Sequence, residues 1–335
     1  MDPLSDVLSV LQVEDAAFGR IEAGGHWALQ GSKAKHVVFV ALLDGPCWLI
    51  PDGTDQPIRV EAGDCFVISC GASYRLCSDP TTNAEDYSAP LKGPTNGVRR
   101  LGTGSGTSLI GGRFTFDDDC PKSLLGFLPP TLYVRATSDS ATSLRAILHK
   151  LANELDNNHV GKALMINHLA QLALLAAMRE HVGSCEQQKP AQGWLGALAD
   201  AKIGKALGLM HAEVAKRWTV EDLATSVGMS RSKFALRFKS LVGFGPLDYL
   251  LHWRMHLAVR ALRTSNKPIY SVAYGLGYES ESAFSNAFKR VLGYAPKSLR
   301  MREKALQVEN GSPSGKNGAM HADEGVPSPG RTLSS

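Results

Sequence analysis

At 335 residues, 44% of them hydrophobic and 20% charged, the chain has material for about two domains with separate cores. Its formal net charge of +4 hides a segregation, because residues 205–304 carry 17 Lys and Arg against 7 Asp and Glu while the remainder is net acidic. No apolar run reaches the ~20 residues of a membrane span, no secretion signal is evident, and the six cysteines lack short regular spacing. A spanning helix and a disulfide scaffold are excluded, and a reduced, cytoplasmic chain is expected.

Pro3 to Leu11 reads as a short amphipathic helix. From about Phe18 to Phe116 short β-type runs alternate with turn signals. The expected strands are His36–Leu43, Cys47–Ile50, Ile58–Val60, Cys65–Ser69 and Ser108–Phe116. They are punctuated by Asp44-Gly45-Pro46, Pro51-Asp52-Gly53 and Ala62-Gly63-Asp64. Strands at this spacing predict a small antiparallel barrel or jelly roll. Gly102-Thr-Gly-Ser-Gly106 has alternating glycines but no following P-loop lysine, and is expected to be a flexible loop.

Leu43-Asp-Gly-Pro-Cys-Trp-Leu49 and Val60-Glu-Ala-Gly-Asp64 carry a likeness to strand-turn segments of a known family. The section resembles the cupin-type sensor domain. The cupin pattern G-x5-P-x-G-x2-H falls on Gly63, Ser69, Gly71 and Tyr74, so the proline and the metal-binding histidine are both replaced. Relatives commonly have a further histidine where this chain has Val40. A divalent cation needs several N or O ligands in one place, and His36 lies four residues from Val40. No metal and no cofactor are therefore expected. Trp27, Trp48, Tyr74 and Arg75 are candidate linings of an effector pocket, with ordinary barrel core as the alternative. Cys65, Cys70 and Cys77 are expected to be structural thiols, with thiol-based redox sensing the alternative.

Helical periodicity returns between Ser140 and His181, with one stripe through Leu144, Ile147, Leu148, Leu151 and Leu155. A second runs through Leu164, Ile166, Leu169, Leu172, Leu175 and Met178. In the cupin-type sensors that the preceding section resembles, such helices often carry homodimer contacts, and packing only on the barrel is the alternative. Gly183 to Gly193 is polar, contains Pro190 and is expected to be an interdomain linker. Gln307 to Ser335 is rich in Gly, Ser, Pro and Asn and is expected to be disordered.

The stretch from Trp218 to Arg300 is one helical unit written twice. Val220, Leu223, Ala224, Val227 and Gly228 recur 49 residues later as Ile269, Val272, Ala273, Leu276 and Gly277. Phe234, Phe238, Lys239, Gly243 and Pro246 recur 50 residues later as Phe284, Phe288, Lys289, Gly293 and Pro296. Two copies suit a pair of helix-turn-helix units. Thr219 with Asp222 forms a capping-box pattern, Gly228 and Gly277 mark sharp turns, and Ser230 and Ser280 are expected N-caps of the second helices. Those helices bury Phe234, Phe238 and Leu241, and Phe284, Phe288 and Val291. Their outward faces carry Ser232, Lys233, Leu236 and Lys239, and Ser282, Ser285, Asn286 and Lys289. A connecting helix over Pro246–Arg263 presents Leu247, Leu250, Leu251, Leu257, Ala258, Ala261 and Leu262 as one stripe, with Arg254 satisfied at a helix junction.

This segment, with its signature from Gly277 to Arg290, resembles the AraC/XylS-type DNA-binding domain over roughly residues 198–303. The resemblance implies an α+β multidomain chain: a cupin-like sensor over 1–135, a helical dimerisation segment over 136–184, and an all-α double helix-turn-helix domain over 198–303 ahead of a tail over 304–335. It implies a DNA-binding transcription regulator, not an enzyme, under control of a small-molecule effector, with double-stranded DNA, RNA polymerase and a second copy as partners. Activation is expected over repression. Base edges are expected at Ser232, Lys233, Leu236, Ser282, Ser285 and Asn286, and phosphates at Lys239, Lys289 and Arg290. A thiol-sensing regulator and a cupin enzyme tethered to DNA are the alternatives.

Overall fold

The computed structural model describes residues 2–10, 13–31, 36–54, 56–82, 85–86, 98–116, 128–136, 142–187 and 193–302. The disordered-tail expectation and residues 188–192 of the expected linker lie outside the described residues.

Helix α1 (Pro3–Val10) precedes strands β1 (Val13–Gly24), β2 (Ala28–Gly31), β3 (Val37–Asp44) and β4 (Cys47–Pro51). Then come β5 (Ile58–Val60), β6 (Cys65–Ile68), β7 (Tyr74–Cys77) and β8 (Glu85–Asp86). Strands β9 (Val98–Gly102), β10 (Thr107–Phe116) and β11 (Thr131–Val134) complete two sheets. The larger is ordered β11-β6-β3-β10-β1-β9, the smaller β5-β4-β7-β2-β8.

β3 shows why the layers stack as they do. Its run Val-Val-Phe-Val-Ala-Leu-Leu is apolar at every position because both faces are covered. Val40 and Leu42 point into the space between the sheets with Leu49, Phe66, Leu76 and Leu109. Val37, Phe39 and Ala41 point the other way, into a core shared with two helices. Those helices, α2 (Thr142–Asp156) and α3 (Lys162–Gln187), pair with each other and lie on the larger sheet. The Ala62-Gly63-Asp64 turn is tied to β11: Asp64 accepts from the amides of Glu61 (2.9 Å) and Ala136 (2.7 Å) and from the Tyr133 hydroxyl.

The helices that follow are α4 (Trp194–Ala199), α5 (Ala201–Ala212), α6 (Val220–Ser226), α7 (Arg231–Val242), α8 (Pro246–Thr264), α9 (Ile269–Gly275) and α10 (Glu281–Leu292), with a further helical stretch over 296–302. The apolar core that starts between the large sheet and α3 continues through α4 and α5 into α7 and the first half of α8. The second half of α8, with α9 and α10, surrounds a separate core. The two share only the half-buried Val214 and Leu257 at their margins among the described residues.

The loop over 102–106 is exposed and is tied at its start, where the Thr103 amide donates to Gly24 (2.9 Å). Some expectations need correction. Helix α3 runs to Gln187, so the polar stretch from Gly183 begins as helix. The connecting helix α8 has no single apolar stripe. Tyr249, Trp253, Met255, His256 and Val259 are buried on it, whereas Leu247 is exposed, because the helix is packed on two sides.

Candidate nucleic-acid interface

Each repeat builds one outward-facing helix on a fixed base. In the first, Thr219 Oγ1 accepts from the Asp222 amide (3.1 Å) and Asp222 accepts from the Thr219 amide (3.0 Å), a capping box that starts α6. The chain then turns at Gly228, whose φ of 65° lies in the left-handed region. Helix α7 anchors itself with Phe234 and Phe238, both fully buried, their rings 5.7 Å apart. Ser232, Lys233, Leu236 and Lys239 are exposed on the opposite face. Leu236 is 75% exposed, an apolar side chain that nothing in the fold covers.

The second repeat reproduces this plan. Helix α9 ends in a turn at Gly277 (φ 83°), and Ser280 caps α10 by accepting from the Ala283 amide (3.1 Å). Phe284 and Phe288 are buried, and Ser282, Asn286, Lys289 and Arg290 are exposed, with Ser285 half-buried among them. Asn286 and Arg290 border a groove of about 560 Å³ that Leu247, Leu251 and Tyr278 also line. One expected cap is absent: Ser230 occupies the N-cap position of α7 but its side chain accepts no capping hydrogen bond.

The two heads are held by α8 and by contacts across the junction. Arg254 donates from Nε to the Val214 carbonyl and from Nη2 to that of Lys216, both at 2.8 Å, and its guanidinium lies over the Tyr278 ring. Arg217 pairs with Glu279 between the heads. Asp200, which the sequence reading missed, caps α5 and pairs with Arg237 of α7. Its signal was legible as an aspartate directly ahead of the apolar run of α5.

The four expected pocket residues do not converge. Trp27 and Tyr74 point into the space between the sheets. The Tyr74 ring sits against Gly31, where a Cβ would lie 2.1 Å from the ring, and edge-on to Phe66 at 6.2 Å. Burial pushes its phenol up to about 12, so it stays protonated at neutral pH. Arg75 follows Tyr74 on the strand and so faces the other side. Its guanidinium is engaged by the carbonyls of Pro80 (2.8 Å) and Thr82 (3.4 Å). Trp48, paired with Cys77, lies on that same outer face.

A cupin cation does not fit this interior. Val40 and Tyr74 stand beside Phe66 where ligands would be needed, and a protonated phenol among apolar side chains is a poor donor set. Among the described residues no three His, Cys, Asp or Glu side chains are grouped to hold a metal. The four described thiols sit in surroundings that favour their protonated form. Burial raises Cys47 to about 12 and raises Cys65, Cys70 and Cys77, which disfavours the thiolate that redox chemistry requires.

Comparison with known proteins decides the family. Residues 2–183 match a model described as cupin, and residues 223–302 one described as a helix-turn-helix domain. An AraC-like transcription regulator of Streptomyces lividans is 39% identical over 90% of this chain and 98% of its own. The chain belongs to the AraC family of DNA-binding transcription regulators. The HTH-type transcriptional regulator AlkR of Acinetobacter baylyi is 31% identical over 90% of this chain and all of its own. Among solved structures, the DNA-binding domain of AdpA in complex with a target DNA is 32% identical, covering 32% of this chain and 96% of that one, with a TM-score of 0.30. Among the described residues of this AraC-family chain, no helix is long and apolar enough to cross a membrane.

Proposed function

We propose that the two outward helix faces read successive major grooves of one operator, and that the cupin domain places this reading under control of a small organic effector. The observation that carries the DNA part is the pair of like-built heads, each with a buried phenylalanine ladder behind an uncovered polar and basic face. Ser232, Lys233, Leu236, Ser282, Ser285 and Asn286 take base edges, with Leu236 suited to a thymine methyl and Asn286 to an adenine edge. Lys239, Lys289 and Arg290 take phosphates.

In this reading the sensor ends near residue 135, the helical segment spans α2 and α3, and the DNA-binding unit begins at Gly193. Trp27 and Tyr74 remain the candidate effector contacts, because they face the barrel interior. A second copy pairs along α3, where Leu164, Met165 and Leu172 are exposed at helical spacing and Val160 lies exposed just before it. The regulator acts in the cytoplasm, without enzymatic activity, and activates by engaging RNA polymerase.

Genome-wide mapping of bound DNA, with selection of duplexes from a random pool by the purified protein, tests the reading. Two motif halves one helical turn apart are expected, as is a dimer in sedimentation that Leu164→Glu and Leu172→Glu dissociate. A protein that enriches no sequence over the pool overturns the DNA assignment. Genes beside the mapped sites then nominate effectors for binding assays with Tyr74→Phe and Trp27→Ala.

A further inference from the structure

The two heads are not attached to the sensor in the same way. Helix α4 lies between sensor helix α3 and recognition helix α7, and the Gly193 amide at its start donates to the Leu241 carbonyl of α7 (3.0 Å). Helices α4 and α5 meet in a tight corner, where a Cβ on Gly204 would lie 2.5 Å from the Leu198 carbonyl. Asp200 sits at that corner with 4% of its side chain exposed, and its two oxygens divide their work. Oδ1 accepts from the amides of Lys202 (3.0 Å) and Ile203 (2.9 Å), capping α5. Oδ2 accepts from Arg237 at Nε (2.8 Å) and at Nη2. Lys202 also donates to the Gly228 carbonyl (2.9 Å), at the turn that aims α7.

Arg237 follows Leu236 on α7, so the pair fixes the rotation of the face that carries Leu236. At the corresponding place in the second head, 50 residues on, stands Ala287, nearly buried in that head's own core. No carboxylate clamp is available there.

We propose that Asp200 is a positioning residue for DNA recognition: its clamp on Arg237 sets the pose of the first recognition helix from the helices that pack on the sensor, and leaves the second head unclamped. Arg237, which by sequence reads as one more basic residue on a DNA-facing helix, serves the clamp instead of a phosphate. The inference rests on the DNA-reading assignment above.

The test uses the full chain and a duplex selected from a random pool by the wild-type protein, compared with duplexes scrambled in either half. Leu236→Ala and Asn286→Ala assign the halves to the heads. Asp200→Asn keeps an oxygen for the α5 amides and removes the charge; Arg237→Gln removes the other partner. Each is expected to lose about tenfold of the preference for an intact first half. Preference for the second half and the salt slope stay as in wild type. The double variant is expected to be no worse than either single one, and Arg237→Lys to fall between. Should Asp200→Asn fail to fold by circular dichroism, Arg237→Gln, at a half-exposed position, carries the test alone. Uniform loss on all duplexes with a salt slope lower by about one unit would make Arg237 a phosphate contact and overturn the proposal. Unchanged preference, or equal loss for both halves, overturns it as well. A wild-type protein that selects no sequence refutes the DNA-reading assignment instead.

Discussion

The carboxylate of Asp6 lies 3.2 Å from Nδ1 of His211, 205 residues further along the chain. It begins a chain of hydrogen bonds. A carboxylate only accepts, so Nδ1 of His211 carries a proton and gives it to Asp6. Nε2 lies 2.7 Å from the Tyr249 hydroxyl, to which the Trp194 indole donates (3.1 Å), and a neutral ring accepts there from Tyr249. His211 also stacks on Trp253 at 4.2 Å. Together with Arg260, which donates to Ser9 (2.9 Å), this docks helix α1 on α5 and α8, with Leu4 and Val7 buried in the shared core.

Stability is expected to fall on mild acidification. Burial depresses the pKa of His211, an effect that Asp6 only partly offsets, so the folded chain holds a neutral ring. The unfolded chain takes up a proton near pH 6.5. The contribution is therefore complete above that pH and is lost as pH falls below it toward the folded pKa, by up to about 1.4 kcal/mol per pH unit for one proton. Urea melts between pH 7.5 and 5, ranges chosen to bracket ~6.5, should show this slope. His211→Phe should remove one proton from it and leave the share of His256, His36 and His181, all of which burial also depresses, His256 to about 3. An unchanged slope in the variant would show the ring is not buried neutral.

Reading and anchoring side chains are separable. Asn286→Ala is expected to relax preference at one operator position at a cost of ~1–3 kcal/mol. Lys289→Ala is expected to weaken all duplexes alike and lower the salt slope by about one unit. Titrations on operator variants at several salt concentrations measure both, and identical behaviour of the two would refute the division.

The matched turn glycines differ in surroundings. A Cβ on Gly228 meets no heavy atom within 4 Å, so Gly228→Ala should cost only the left-handed backbone, about 1 kcal/mol. On Gly277 the same atom would lie 2.1 Å from the Ala215 carbonyl oxygen. Gly277→Ala should therefore destabilise severalfold more, displacing the second head from Ala215. Thermal melts of the two variants side by side would reveal it, and equal losses would contradict the packing at Ala215.

The helical half was legible because its signals are local. Capping pairs, turn glycines and phenylalanines at i, i+4 recur within one repeat and need no distant partner. β1 was not legible, although it lies between β10 and β9. Its Val-Glu-Asp-Ala-Ala-Phe-Gly-Arg-Ile-Glu-Ala-Gly is poor in strand formers, and it is held by a register with Thr107–Phe116 set about ninety residues away. The stripe on α8 failed for a related reason: a helix buried on two sides loses the period that marks one buried face. The four expected pocket residues do not share one face because Tyr74 and Arg75 are adjacent on β7, and a strand sends neighbours to opposite faces.

Burial argues for a DNA-binding unit that starts at Gly193. Trp194 is 1% exposed, bonded to Tyr249, and packed in the core of the first head, whereas it precedes the expected boundary at 198. A fragment over 198–302 lacks this indole, Leu195 and the Gly193 amide that bonds to Leu241. A fragment over 193–302 keeps all three. Removing a buried tryptophan side chain costs ~3–5 kcal/mol, a large part of the stability of a domain this size. The longer fragment is expected to unfold cooperatively and bind the selected duplex, and the shorter one to melt many degrees lower and bind mainly through its second head, whose core is separate. Circular dichroism melts with titrations against half-scrambled duplexes decide it. Equal stability of the two fragments would place α4 with the sensor and move the boundary back to 198.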